Sequence, residues 1–507
     1  MNKERENKLK NKATDQSKLL KSCKKELVRQ TSRAEKWRKE SLLQREEIKS
    51  KCLIIKHLKN KKELNLATQI GIELDKDKVA TGYKYELSVI KLCVKLYKLG
   101  LSLRNVCAVL ALISCYLGSE FKVPSHVTVS IWVQKVGLHL QQTGLEKFKK
   151  STEKWCLIID ESYSLAKSQL LLILAVRLST LESGSLKMDD VVPLFIGSQS
   201  VWTGIEIAAC ITEITKDSEG RIAYVTSDCG RPLVCAYKSI ALDQVPDWSH
   251  YAANILENIY VQNADFKLFN EQMSIFKRKR HQSSYAYYAP PSLSVKIRFM
   301  NYLPFIDWAN TMLENEKKIP TDLKSELYFL QELKVFLCEL SDLFYSADEI
   351  VKIVKKEGIN ELSHAKAQHK LAVLAKKYAN NQNVASFIKK VEDYFEHTLV
   401  IYKKYIEKQD KSVPFFDGLI ASSDIIECLF GKLKSRTSNN PKRGFSAICL
   451  LIPLFCQDFS HKQALEAMIN VNMEKLENWK NENLCNRKYK SFKNIFKQKK
   501  GKVYSSV

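Results

Sequence analysis

The spacing of apolar positions along the chain changes character from segment to segment. Residues 1–62 carry a broken stripe of Leu19, Leu20, Leu27, Trp37, Leu42, Leu43 and Ile48 with no Pro or Gly. That pattern predicts a long basic helix, single or coiled coil. Leu87, Ile90, Leu92, Val94 and Leu96 predict an amphipathic helix over Glu86–Leu99, stopped by Gly100. A second is predicted over Leu103–Leu117 and a third over Val127–Gly137, opened by Pro124-Ser125 and carrying Trp132 inward. Three short helices punctuated by Gly suggest a helix-turn-helix module or an ordinary three-helix bundle. On the first reading, Ser125, His126, Thr128, Ser130 and Gln134 of the third helix face DNA.

From Trp155 the period shortens. Strands are predicted at Trp155–Ile159, Gln169–Leu178, Val192–Ile196, Arg221–Thr226 and from Gln244, with helices at Thr203–Thr215, Pro232–Ala241 and His250–Tyr260. The order β-β-β-α-β-α-β-α implies an α/β unit, a mixed sheet flanked by helices. Residues 263–412 then read as almost wholly helical, with periodic stretches at Leu323–Leu343, Ala347–Val354 and Val384–Tyr402. Strongly apolar helix returns over 424–475. The expected organisation is an arm (1–65), a helix-turn-helix domain (80–145), an α/β core (150–262), an all-α insertion (263–412), a helical return to the core (413–475) and a basic tail (476–507), mostly helical overall.

Charge narrows the choice of partner. The 507 residues hold 81 Lys+Arg against 56 Asp+Glu, a net charge of +25. Such a surplus favours a polyanion, and nucleic acid over membrane. The longest apolar runs, Val106–Gly118, Gln169–Leu178 and Ala447–Cys456, are shorter than the ~20 residues a spanning helix needs. The opening MNKERENKLK has no apolar signal segment. A cytoplasmic, nucleoid-associated location is expected, or a nuclear one in a eukaryotic host. The 14 cysteines form no CxxC, and Cys229, Cys235 and His250 fit no zinc spacing. Around the tail's Lys and Arg residues stand Tyr489, Phe492 and Phe496, a pattern suited to phosphate contact and base stacking.

The α/β segment inverts this balance, with 13 acidic and 7 basic residues from 155 to 262. Asp160 ends the first predicted strand and Asp228 the fourth. On neighbouring strands the two would repel, and a divalent cation would relieve them. A third acid is sought in SSDIIECLFGKLKSR, where Glu427 shares a helix face with Gly431 and Lys434, opposite Ile425, Ile426, Leu429, Phe430 and Leu433. The competing reading makes Asp424-x-x-Glu427 a capping device at the helix start, and the two aspartates ordinary turn residues.

Three segments together carry a family resemblance: IIDES at 158–162, VTSDCGRPLVCAY with VPDWSHYAANILENIY within 225–260, and SSDIIECLFGKLKSRTSNNPKRGFS at 422–446. They resemble DDE transposases of the bacterial insertion-sequence type. The resemblance implies an RNase H-like core interrupted by a helical insertion, which suits the separation of 199 positions from Asp228 to Glu427. It implies Mg²⁺ (or Mn²⁺) on Asp160, Asp228 and Glu427. His250 of Asp247-x-x-His250 would stand near the scissile phosphate. Lys434, seven residues after Glu427, would contact the transposon end, with Arg231, Lys432 and Arg436 placing phosphates. The family's Arg four residues before the Glu is replaced by Ser423. The implied activity is DNA strand cleavage and strand transfer on double-stranded DNA by a homodimer or higher oligomer. The alternatives are an RNase H-like nuclease without strand transfer and a non-catalytic or domesticated DNA-binding protein.

Overall fold

A sheet of five strands organises the protein in the computed structural model. The model describes residues 84–117, 122–165, 168–217, 220–291, 302–409, 415–436 and 445–485, with only the backbone of 162–165. The predicted arm (1–65) and the basic–aromatic tail over 487–502 lie outside the described residues. The strands are β1 (Trp155–Leu165), β2 (Ser168–Arg177), β3 (Val191–Gln199), β4 (Ile222–Ser227) and β5 (Gln244–Pro246), in the order β3-β2-β1-β4-β5. β1, β2 and β3 form an antiparallel meander. β4 and β5 join it in parallel on the other side of β1. A parallel partner needs a crossover, and the helix α4 (Gly204–Thr215) supplies it before β4. Thr203 caps α4 reciprocally with Glu206, which is why the helix starts there.

The sheet is apolar on both faces because helices cover both. Trp155, Leu157, Ile159, Leu171, Ile173 and Val225 point to one face. They bury against Ile207 and Ile211 of α4 and Leu233, Ala236 and Tyr237 of α5 (Arg231–Ser239). The other face carries Cys156, Ile158, Leu172, Leu174, Tyr224 and Thr226, all buried. Tyr405 of the helix α13 (Gln382–Glu407) packs edge-on against Tyr224, at 5.8 Å between ring centres. The last long helix of the segment predicted as an insertion is therefore a flank of the sheet.

The chain divides into two units, residues 1–93 with 103–126, and residues 94–102 with 127–507. In the first, the described residues belong to the start of α1 (Leu87–Leu99), to α2 (Leu103–Leu117) and to 122–126. Leu87, Ile90, Cys93, Val106 and Leu110 are buried there. The third predicted helix differs from expectation. It runs from His126 to Lys150 as α3, straight through Gly137, and all but its first residue falls in the second unit. The physical reason lies at Gly137. A Cβ there would stand 1.9 Å from the Leu450 carbonyl oxygen, so glycine serves close packing and does not end the helix.

Other boundaries moved less. β1 continues five residues past Asp160, because a bulge lets three steps along β1 match two along β2 between Asp160 and Tyr163. The predicted stretch Leu323–Leu343 is broken into α9 (Thr321–Leu327), α10 (Phe329–Glu332) and the start of α11 (Lys334–Glu357). Before them come α6 (Trp248–Tyr260), α7 (Ala264–Arg280) and α8 (Leu303–Glu314), and α12 (Glu361–Lys377) follows α11. After α13 come α14 (Asp424–Lys434), α15 (Leu451–Cys456), α16 (His461–Asn470) and α17 (Met473–Asn483). Among the described residues no helix is long and apolar enough to cross a membrane.

Two glycines give opposed expectations. Gly137→Ala forces α3 off Leu450 and costs about 3 kcal/mol. Gly431→Ala, where a Cβ meets nothing within 4 Å, changes stability by a gain of up to about 1 kcal/mol. Thermal melts of the full chain check both: the first midpoint falls, and the second is equal or higher.

Candidate functional site

Parallel pairing brings two aspartates to one edge. Ile159 of β1 lies beside Ser227 of β4, so Asp160 and Asp228 each follow a paired residue at the same end of adjacent strands. Strand alternation puts Ile158 and Asp160 on the face that α13 and α14 cover, and Thr226 shares that face. Asp160 is 2% exposed, Asp228 half-buried. Asp228 sits in a turn that its own carboxylate shapes: Oδ1 accepts the Gly230 N–H at 2.9 Å, and Gln244 Nε2 donates to its carbonyl at 2.9 Å. That is the turn role the competing reading assigned to it, and it leaves the other carboxylate oxygen outside that bond.

Glu161 belongs to the same group, although the sequence pattern did not single it out. Burial pushes its carboxyl up to about 7, and the charges of Asp228 and then Asp160 add to the rise. Its Oε2 is fully buried with no hydrogen-bond partner. The nearby Tyr237 hydroxyl is raised by burial, with Asp228, Asp160 and Glu161 contributing. A raised carboxyl stabilises the fold when protonated. That contribution is complete below the ordinary value of 4.5 and is lost as pH rises through about 7. The signal for Glu161 was the pair of consecutive acids in IIDES, which alternation alone sends to opposite faces.

Glu427 arrives from far along the sequence. α14 packs on β1. Its apolar stripe of Ile425, Ile426, Leu429, Phe430 and Leu433 is buried as expected, leaving Glu427 half-buried and Lys434 exposed. The capping reading of Asp424-x-x-Glu427 is overturned. Ser423 is the N-cap and makes no side-chain cap, Asp424 pairs with Lys355, and Glu427 Oε1 meets His250 Nε2 at 3.2 Å. His250 stands in the first turn of α6.

One carboxylate fixes that meeting. Asp247 is fully buried. It caps α6 by accepting the His250 N–H at 3.0 Å. Its second oxygen accepts both the backbone N–H (2.5 Å) and the hydroxyl (2.7 Å) of Ser423. Around it, the Trp248 N–H donates to the Ala421 carbonyl at 2.9 Å and the Thr226 hydroxyl to the Ile420 carbonyl at 2.6 Å. The start of α14 is thus bolted to the ends of β4 and β5. The spacing Asp247-x-x-His250, noted for its histidine, is first of all a helix cap.

The other candidates are dispersed. Arg231 opens α5 and is exposed. Ser125 is exposed, and Thr128 and Gln134 are half-buried, Gln134 donating to Ser130 Oγ at 3.1 Å. Lys432 stands over the ring of Phe455 and Arg436 over that of Tyr97. Cys229 and Cys235 are exposed. Among the described residues no three His, Cys, Asp or Glu side chains form a ready-made cation cage. Hard-cation chemistry still suits the strand ends, where oxygen donors gather beside a buried oxygen that lacks a partner. Comparison with known proteins finds no family model that matches the chain and no characterised sequence significantly similar to it.

Two substitutions read this geometry through stability. Asp247→Asn turns a donor toward buried donors and costs about 3 kcal/mol, whereas Ser423→Ala costs about 1 kcal/mol. Equal losses in the two melts would show that Asp247 is not the anchor. Asp228→Asn keeps the Gly230 acceptor but removes a negative charge that acts on Glu161 beside Asp160. The thermal midpoint therefore rises in low-salt buffer with a chelator; a fall would mean that repulsion does not govern this strand end.

Proposed function

We propose that the protein is a DDE-type DNA transposase with an RNase H-like core, and that Asp160, Asp228 and Glu427 are its metal-binding residues. The observation that carries the reading is the parallel β1–β4 register, whose last pair, Ile159 with Ser227, is followed on each chain segment by Asp160 and Asp228. The strand order β3-β2-β1-β4-β5 supports it, as does the docking of α14 on β1. So does the bolt of Asp247 to Ser423, which brings a segment 176 positions away to the strand ends.

Divalent Mg²⁺ or Mn²⁺, held by these carboxylates, would polarise a scissile phosphodiester and lower the pKa of an attacking water or 3′-hydroxyl. The chain's own groups do the rest. Glu427 and His250 hold one another, so the histidine keeps the third acid oriented while its ring stands ready for a phosphate oxygen. Burial of Asp160 excludes water from one side of the site. Lys434, exposed on α14 seven positions after Glu427, would meet a DNA phosphate. Arg231 adds a cation at the strand end nearest Asp228. Strand cleavage frees a 3′-hydroxyl, and strand transfer joins it to target DNA in a homodimeric or larger complex.

The test uses the full chain with a supercoiled plasmid carrying its gene and flanking DNA. Mg²⁺ yields nicked and joined products, and EDTA yields none. Asp160→Asn, Asp228→Asn and Glu427→Gln each lower product at least about a thousandfold while DNA affinity changes less than threefold. Nicks without joined products would reduce the reading to a nuclease. Binding with no metal-dependent product, in keeping with the lack of a ready-made cage among the described residues, would make it a non-catalytic DNA-binding protein.

A further inference from the structure

Away from the carboxylates, cations gather where the last turn of α1 meets α14 and the residues after α15. Lys98 donates from Nζ to the Gln457 carbonyl at 3.0 Å. The Arg436 guanidinium lies 5.7 Å from the centre of the Tyr97 ring and donates to the Lys98 carbonyl at 3.4 Å. Lys432 Nζ stands 5.7 Å from the centre of the Phe455 ring. The buried Cys456 thiol feels the charges of both Lys432 and Lys98, and the residues those lysines meet, Phe455 and Gln457, flank it in sequence. Burial holds the Lys98 ammonium below its ordinary value; the nearby charge of Asp458 opposes that fall, and those of Lys95 and Lys432 add to it. One carboxylate is present, Asp458, and it is bonded to Lys95 at 3.0 Å.

The way these cations are held matters more than their number. Lys98, Lys432 and Arg436 are fixed by ring faces and backbone carbonyls, which position a charge without cancelling it. Among the described residues no carboxylate forms an ion pair with any of the three. Part of the arrangement is ordinary helix-end chemistry, because cations favour the C-terminal turns of helices. Each such turn offers about half a negative charge, less than the cation it attracts. The surplus remains, on cations held by residues that neighbour one another in the fold.

We propose that Lys98, Lys432 and Arg436 form a preorganised clamp for backbone phosphates of nucleic acid. The clamp is distinct from the carboxylate site: at 3.6 residues per turn Lys432 lies about 140° around α14 from Glu427, whereas Lys434 shares Glu427's side. The proposal rests on the nucleic-acid part of the functional reading and is independent of cleavage. A phosphodiester fits because it is small enough to meet three cations at once and takes bidentate hydrogen bonds from a guanidinium.

The test follows binding of a labelled DNA duplex to the full chain by fluorescence anisotropy across a salt series. Each phosphate released from a contact lowers the slope of log affinity against log salt by about 0.9. Substituting Lys98→Gln, Lys432→Gln and Arg436→Gln together is expected to lower it by about 2 to 3 and to weaken binding about tenfold or more at moderate salt. Lys432→Gln alone, exposed and held only by a ring, lowers it by about 1, so the outcome does not depend on the triple variant's folding. The control replaces the exposed Lys317, Lys318 and Lys324 by Gln. Equal slope changes in control and clamp variants would overturn the proposal, because generic charge would then explain both. A midpoint raised by millimolar pyrophosphate in the wild type but not the triple variant, with the DNA slope unchanged, would also overturn it in favour of a small free phosphate. Asp228→Asn separates the two readings: it keeps the salt slope whether or not cleavage occurs.

Discussion

A single buried carboxylate holds the architecture of the site. Asp247 accepts hydrogen bonds from the first turn of α6 and from Ser423, which starts α14. A buried ion is expensive unless its lone pairs are filled, and here backbone and hydroxyl donors fill them. Together with the Thr226–Ile420 and Trp248–Ala421 hydrogen bonds, it makes α14 begin beside β4 and β5. The contact of Glu427 with His250 is downstream of it, since each partner's helix is oriented by one oxygen of Asp247.

Electrostatics divides the molecule along the same helix. At the strand ends, acids crowd together until burial and mutual repulsion lift Glu161 to about 7. At the far end of α14, cations crowd together and are held by neutral partners. Each cluster is unfavourable alone and is tolerated because the surrounding apolar packing fixes it. On the proposed reading, opposite fields at the two ends of one short helix would orient a polyanion along it better than a uniformly basic surface would.

Much of this was legible from residues. The starts of β1 and β4, the extent of α2 and the apolar stripe of α14 follow from period and from turn residues, because those elements bury one continuous face. The run of α3 through Gly137 was not legible. Glycine usually ends a helix, and only the nearness of Leu450, more than three hundred positions later, makes it a packing residue. Glu161 was hidden for a related reason. A bulge changes the alternation that decides which acids sit together, and a bulge leaves no clear mark in a strand of mixed composition. Asp424 and Glu427 looked like a cap because local spacing allows one, but long-range partners in Lys355 and His250 claimed both carboxylates.

The separation of the site's parts along the chain also orders its assembly in time. The β1–β2–β3 meander closes through short connections, and β4 and β5 follow after one helix each. Asp160 and Asp228 can therefore stand side by side on a growing chain while the 199 residues leading to Glu427 are still being made. At typical synthesis rates of about 5–20 residues per second, that interval lasts roughly ten seconds or more, far longer than most small domains take to fold. α13 and α14, the cover of the sheet's second face, come late in the chain, and Asp247 receives the start of α14. On the proposed reading, a chain cut short before α14 holds Asp160 and Asp228 but lacks Glu427, so completeness of the polypeptide is itself a condition for a complete site.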